Sequence, residues 1–430
     1  MNLFTAETGN GWASAVGPVR SRRGTKRAPT PLLILEDRRM TLATADGVVS
    51  GPSPLSVPHG NRIVLKLEHL HRYNPTGSLY DRLYPFLLEH YSRAGVIVPG
   101  RTPLIECSVG NAGAAFAWAC REAGFSDYRL ILPADIYAPR IEIAKSLGAQ
   151  VLHSPPDVGP WGYVQMIQEL AFRRVNDGPP HESRLFPISK IRNVPEQPYA
   201  RFVDEALGAM RAAGVPRIDH FVFGVGAGNT ISMVGKNLKR RAGRTVVHCA
   251  EFAERAFTAL LRDGRRPAIG GTWADPAYIA GTIHGVPLEK LHLDLSVIDT
   301  VCAYAHDVRD GALGVLNDVL GLEAGRSSAL VWAGVWDLAQ RVQGQTIFSI
   351  IFDGLAKYSD TASPCTDMTL EPLRGLVPVH VSECQVQDSM AGRDLAAERP
   401  GLRMIAEQVQ SRWRTLSGQV HASMPIAVPA

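Results

Sequence analysis

Four short stretches carry residue types that can do chemistry. Gly224-Val225-Gly226-Ala227-Gly228-Asn229-Thr230 follows the apolar run Phe221-Val222-Phe223 and precedes a helix-like segment. Glycines let a chain turn tightly with successive amide N–H groups facing inward. Those amides and a helix N-terminus together make an anion site suited to phosphate. Thr230 adds a hydroxyl donor. A purely structural turn has the same composition, and the strand-loop-helix context is what favours phosphate. No Lys-Ser/Thr pair follows at the spacing of a Walker A loop. Gly224 and Gly226 match the first two glycines of G-x-G-x-x-G, but Asn229 takes the third. The acidic residue roughly 20 positions on is Glu251, so a dinucleotide site stays open but poor. The other stretches are Asn74-Pro75-Thr76-Gly77-Ser78-Leu79-Tyr80-Asp81-Arg82, Glu106-Cys107-Ser108-Val109-Gly110-Asn111-Ala112-Gly113 and Asp353-Gly354-Leu355-Ala356-Lys357-Tyr358.

The elements that must position them alternate along the chain. Strand-like runs fall at 63–67, 103–106, 129–132, 150–152, 221–223, 246–250 and 347–352. Helix-like segments fall at 83–94, 114–123, 138–147, 232–241 and 328–342. Short apolar strands alternating with helices predict α/β layers with mainly parallel sheets. Two such series predict two α/β domains with a cleft between them. A length of 430 residues allows two to three domains at about 150 residues each.

Composition narrows the function classes. Hydrophobic residues are 45% and charged residues 20%, a globular balance rather than a fibrous or disordered one. Lys and Arg number 45 against 41 Asp and Glu, and a net +4 spread over this length gives no reason to expect nucleic acid. Arg20, Arg22, Arg23, Lys26 and Arg27 crowd into one segment without apolar periodicity, read as a flexible basic arm at 1–30. No apolar window suits a membrane helix, and the first ten residues lack the pattern of a signal peptide. The six cysteines form no CxxC pair, and no His/Cys cluster has zinc spacing, so no metal site is expected. A reduced, cytoplasmic protein without membrane or nucleic-acid partners is the expectation.

Taken together, the four stretches resemble the motifs of fold-type-II pyridoxal-phosphate enzymes, the cysteine synthase, cystathionine β-synthase and tryptophan synthase β group. Residues 74–82 resemble N-P-T-G-S-x-K-D-R. Residues 106–113 are similar to the substrate loop E-x-T-S-G-N-T-G. Residues 224–230 resemble the phosphate cup G-x-G-T-G-G-T, and residues 353–358 the P-D-S-G-x-R-Y stretch beside the pyridine nitrogen. The motifs occur in family order over roughly 52–358. The resemblance implies a tryptophan-synthase-β-like α/β fold with the cofactor in the cleft between two domains. The large domain would comprise 31–73 and 190–360 with the phosphate loop. The small domain would be 74–189 with the substrate loop, and 361–430 a C-terminal extension. It implies pyridoxal 5′-phosphate held by Gly224, Gly226, Ala227, Gly228, Asn229 and Thr230. Asn111 would meet its 3′-oxygen, and Gly354 would lie beside its nitrogen. It implies an amino-acid substrate on Ser108, Val109, Gly110 and Ala112, and a homodimer.

The departures are as informative. The family's Schiff-base lysine falls at Tyr80, the candidate catalytic residue by position, with its role left open. A phenol can donate or relay a proton but cannot form an imine, so a bound cofactor would be non-covalent. Val109 and Ala112 replace hydroxyl residues, Gly354 replaces the serine, and Asn229 replaces a cup glycine. Lys66 and Lys357 occupy ordinary basic positions of the family, and Lys145, Lys190 and Lys236 have no evident place in the site. Three functions stay open. The first is β-replacement or elimination on an amino acid at a lysine-less site. The second is a non-catalytic binding or regulatory protein on the same scaffold. The third is a cofactor-independent enzyme using the glycine loop for another phosphorylated ligand. Among lone residues, Cys107 is read as a small buried thiol, and His69 and His71 as solvent-exposed on a surface turn. Ser327-Ser328 is read as a helix cap, and His284 is left even between function and structure.

Overall fold

Leu32-Leu33-Ile34-Leu35 is buried throughout and starts β1 (Leu32–Thr44). That strand turns back into β2 (Gly47–Ser56) as an antiparallel hairpin, with a register shift between Asp37 and Arg39. The computed structural model describes residues 28–154, 162–167, 170–171, 185–188, 194–252, 294–304, 306–358 and 381–382. Most of the expected basic arm, Lys190, His284 and all of the C-terminal extension except 381–382 lie outside the described residues.

After β3 (Arg62–Leu67) come α1 (Leu83–Arg93), β4 (Leu104–Cys107), α2 (Asn111–Glu122) and β5 (Tyr128–Pro133). They are followed by α3 (Ala138–Ser146), β6 (Gln150–Ser154), α4 (Gly162–Ile167), β7 (Phe186–Pro187) and α5 (Gln197–Ala212). The second series is β8 (His220–Gly224), α6 (Asn229–Ala242), β9 (Val246–Phe252), β10 (Thr300–Tyr304), α7 (His306–Gly314), α8 (Arg326–Ala339), β11 (Thr346–Ile351) and β12 (Val381–Ser382). Two sheets result. The larger has the order β12-β10-β9-β8-β11-β3-β1-β2, parallel from β10 to β3 and antiparallel at both margins. The smaller is β6-β5-β4-β7, parallel throughout. This is the expected mixed α/β fold with parallel sheets flanked by helices.

Burial explains the apolar runs. All six residues of β11 are buried, as in a parallel strand covered on both faces. Its central polar side chain, Ser349, donates to the Val222 carbonyl at 2.8 Å. Every residue of α8 is buried, including Trp332 and Trp336, so this helix is a core element packed on β8, β9 and β11. The serine pair does not cap it. Gly325 takes the N-cap position, and Ser327 and Ser328 lie inside the first turn.

Strand order is what assembles the site. β3, β11 and β8 are adjacent and parallel, with Leu67 paired to Ile351. Their carboxyl ends therefore deliver three stretches to one edge of the sheet: 74–82 after β3, 353–358 after β11, and the glycine loop after β8. A ligand crevice in an open α/β sheet lies outside these strand ends. β4 of the smaller sheet runs into the remaining stretch, 106–113.

Candidate functional site

The stretch at 74–82 is braced from within. The Asp81 carboxylate accepts from the Thr76 amide at 2.9 Å, the Thr76 hydroxyl at 2.6 Å and the Ser78 amide at 3.3 Å. Ser78 caps a 3-10 turn, Leu79–Arg82, by accepting from the Tyr80 amide at 3.2 Å. Gly77 has φ +58°, and a Cβ there would lie 2.7 Å from the His69 carbonyl oxygen, so glycine is required. Arg82 leaves the turn into a buried charge cluster with Glu68, Lys66 and Glu205. Tyr80 thus rides on a rigid turn, half-buried against the core, with its ring centroid 6.4 Å from that of Tyr84.

The substrate-type loop leaves β4 after Glu106. That carboxylate is fully buried and accepts from the Tyr84 hydroxyl at 2.7 Å and the Cys107 amide at 2.8 Å. The Ser108 hydroxyl accepts from the Gly110 amide at 3.1 Å, closing the loop on itself. Asn111 opens α2, and its Oδ1 is buried without a partner. Val109 packs on the core, while Ala112 is fully buried within it. Cys107 is buried as expected.

In the glycine loop, Gly226 and Ala227 are half-buried and Gly228, Asn229 and Thr230 are buried. Gly228 has φ +89° and forms the N-cap of α6, a helix of 14 residues. That left-handed residue turns the chain from β8 into the helix, setting the first amides of α6 at the loop. The Tyr199 hydroxyl, from α5, hydrogen-bonds the Thr230 side chain.

The last stretch packs between these. Asp353 is fully buried; the Ser328 and Tyr358 hydroxyls both donate to its carboxylate. Gly354 pairs with Ala324 in an isolated antiparallel bridge. Lys357 is buried and its ammonium donates to the Gly77 carbonyl at 2.9 Å, tying the 353–358 stretch to the Tyr80 turn. Burial draws that ammonium down to about 8. Arg140 of α3 donates to the carbonyls of Lys357 and Val109, linking the larger sheet's edge to the substrate-type loop. Lys357 and Arg140 thus tie three of the stretches together, and Tyr199, which bonds Thr230 of the glycine loop, lies within electrostatic reach of Tyr80; the carboxyl ends of β3, β11 and β8 mark the candidate crevice. Of the lysines without an assigned role, Lys145 is exposed, and it and Lys236 pair with surface carboxylates.

Glu205, Arg140 and Tyr199 come from helices that carry no motif. The only sequence signal was Arg140 itself, a cation in the first turn of a helix, where the dipole disfavours it. His69 departs from its expected place. It is buried at 4% exposure, not on the surface, and its Nε2 donates to the Leu322 carbonyl at 2.6 Å; His71 is exposed as expected. Burial pushes the His69 imidazole from the ordinary 6.5 down to about 4. Folded protein then binds fewer protons here than unfolded protein between these two values, so stability falls as pH drops from 6.5 toward 4. Urea midpoints at pH 7 and pH 5 should show a smaller acid loss in His69→Gln than in the wild type. Equal losses would contradict this assignment.

Among the described residues no group of three His, Cys, Asp or Glu side chains could hold a metal, and no helix is long and apolar enough to cross a membrane.

Comparison with known proteins agrees with this fold. Cysteine synthase 3 of Caenorhabditis elegans is 30% identical over 203 residues, which is 47% of this chain and 56% of that protein. The cysteine synthase of Staphylococcus aureus strain Mu50 is 24% identical over 300 residues, 70% of this chain and 88% of that enzyme. Among solved structures, the cysteine synthase of Entamoeba histolytica matches with a TM-score of 0.61 at 19% identity, covering 88% of this chain and 98% of its own. An O-ureido-L-serine synthase matches at 0.59 and 21%, covering 81% and 97%. These structural likenesses, at such identities, speak to the fold alone. A family model described as pyridoxal-phosphate dependent enzyme matches residues 51–353, most of the chain, taking in the stretches at 74–82, 106–113 and 224–230 and reaching Asp353, and the chain belongs to that family.

Proposed function

We propose that the chain holds pyridoxal phosphate non-covalently in this crevice and acts there on a small amino acid by β-replacement or elimination. One observation carries the reading: a left-handed Gly228 leads the glycine loop into the N-terminus of α6, while the position of covalent attachment is a phenol. The residues fit the cofactor's phosphate end. Gly228 is left-handed at the α6 N-cap, where amides face an anion, and Thr230 follows at the second helical position. The buried, unpartnered Oδ1 of Asn111 is a polar atom left open at the place assigned to the cofactor ring. The family's attachment position is a phenol, and the buried lysine nearest that turn among those described, Lys357, is engaged by the Gly77 carbonyl.

When bound, the cofactor supplies an electron sink for charge developing at the α-carbon of an amino acid. Gly228, Asn229 and Thr230 would hold the phosphate through backbone amides and the Thr230 hydroxyl. Asn111 would orient the ring. Tyr80 would hold or relay a proton at its Oη and form no covalent bond. The buried walls formed by Val225, Phe223 and Asp353 would keep water from the ring. A second reading, a non-catalytic binding or regulatory protein, draws on the substrate loop, because the Val109 and buried Ala112 side chains offer no donor to a substrate.

The test is retention. The purified chain is mixed with pyridoxal phosphate, desalted, and its visible spectrum recorded with and without L-serine. Retention is expected in the wild type and at least about tenfold weaker binding in Gly228→Val, whose β-branched side chain cannot take a left-handed backbone without strain. Loss of all cofactor on desalting would defeat the proposal. Retention without any response to amino acids would select the second reading.

A further inference from the structure

Arg140 is a buried cation that the family motifs leave without a task. It is 5% exposed. Its Nε donates to the Lys357 carbonyl at 3.2 Å and its Nη1 to the Val109 carbonyl at 2.5 Å. The rings of Tyr137 and Tyr358 flank it, at 5.2 and 4.9 Å from the guanidinium carbon. Its Nη2 is buried and has no hydrogen-bond partner. No carboxylate pairs with it among the described residues. Asp353 and Asp81, the carboxylates of the neighbouring stretches, are already engaged, Asp353 by Ser328 and Tyr358 and Asp81 by Thr76 and Ser78.

A guanidinium out of water, without an anion and with an open N–H, is costly to keep. Its position raises the cost, because it sits in the first turn of α3 and shares the crevice with the buried ammonium of Lys357. A structural bridge between two carbonyls does not need a charge. Yet the group is locked in place by two carbonyls and two rings, with one donor left over. That donor stands at the backbone of the loop whose hydroxyl side chains are missing at Val109 and Ala112.

We propose that Arg140 is an anion-binding residue of this crevice, and that its open N–H receives the carboxylate of the amino-acid ligand. The inference rests on the reading that the crevice takes an amino acid, and it assigns the group that holds it. Planar, fixed guanidinium geometry suits a carboxylate, and a charge-assisted hydrogen bond in a buried site is strong.

The experiment is calorimetric titration of the full chain, with and without pyridoxal phosphate. The probes are L-serine, serinol (the same amine without a carboxylate) and inorganic phosphate. L-Serine is expected to bind the wild type and serinol not to bind. Arg140→Gln is expected to weaken L-serine about 10- to 100-fold, with Arg140→Lys intermediate because it keeps the charge but loses the fork. Urea midpoints report whether each variant is folded. If neither variant folds, the wild-type comparison still decides, since equal affinity for serinol and L-serine overturns the proposal. So does wild-type binding of phosphate but not L-serine, absence of L-serine binding, or a folded Arg140→Gln that binds L-serine normally. The outcomes also separate the two readings. Arg140-dependent L-serine binding without cofactor retention would remove only the cofactor reading. Cofactor retention with Arg140-independent L-serine binding would remove only this one.

Discussion

Tyr80→Lys is expected to acquire a covalent hold on the cofactor that the wild type lacks. After incubation with pyridoxal phosphate and borohydride, the variant should carry the cofactor's mass on the peptide containing residue 80, and the wild type should not. The expectation comes from how little else in the turn needs to change. Ser78 caps it, Asp81 ties it to Thr76, and Arg82 anchors its end in buried ion pairs. None of these contacts involves the Tyr80 side chain. Residue 80 is half-buried, so a lysine stem can lie along the same apolar wall. A lysine placed there also returns a base to the α-carbon. A positioned base contributes about 10²–10⁴-fold, so exchange of the α-hydrogen of L-serine with deuterated solvent should quicken by that order. Exchange in the wild type, however slow, would favour the lysine-less enzyme over the binding protein. An unmodified residue 80 in a folded variant would mean that the crevice does not present the aldehyde to this turn, and the assignment of Tyr80 would fall.

What could be read from sequence follows from which interactions are local. The parallel core was legible because its strands are short apolar runs between helix-like segments, as at 221–223 before the glycine loop. The four stretches were legible because each is contiguous. The β1–β2 hairpin was not. Past Leu35 its residues alternate irregularly, Arg38 is left-handed, and most of β2 is exposed, so no period-2 signal appears. His69 was misplaced for a related reason. A histidine between Glu68 and Leu70 looks like surface, but β11 and the Leu322 carbonyl cover it from elsewhere in the chain. The charge cluster under the Tyr80 turn was hidden altogether, since Arg82 and Glu205 are 123 positions apart. Arg140 was passed over because its helix holds no motif, and only the crevice shows that its charge lacks a partner.

Glu68→Gln is expected to give the largest loss of stability of any single change considered, about 3–5 kcal/mol in urea or guanidinium unfolding. Glu68 is fully buried. It accepts from Arg82 at 2.8 and 2.9 Å and from the Thr30 hydroxyl at 2.5 Å, and lies 3.8 Å from the Lys66 ammonium. Glu205 supplies the second carboxylate, 2.7 Å from Lys66 and 2.8 Å from Arg82. Two cations face two anions, so the cluster is neutral as built. Removing one negative charge while keeping the shape leaves an uncompensated buried cation, and that imbalance, not the loss of a hydrogen bond, makes the change severe. Arg82 and Lys66 hold the Glu68 carboxyl well below the ordinary carboxylate range against the opposing effect of burial. Its contribution is therefore present above the unfolded carboxyl value near 4.5 and is lost as pH falls below it, so the wild type and Glu68→Gln should converge in acid. A neutral pair of changes, Glu68→Gln with Lys66→Met, should recover much of the loss, because it restores the balance of charge. Stability and function are joined here. The same carboxylate accepts from Asn74 at 3.0 Å and anchors Arg82, the two ends of the turn that carries residue 80. Glu68→Gln should therefore also blunt the covalent capture by a lysine at position 80, even where enough folded protein remains to assay. A loss below about 1 kcal/mol would place the cluster among pairs that contribute little, and the rigidity ascribed to this turn would need another source.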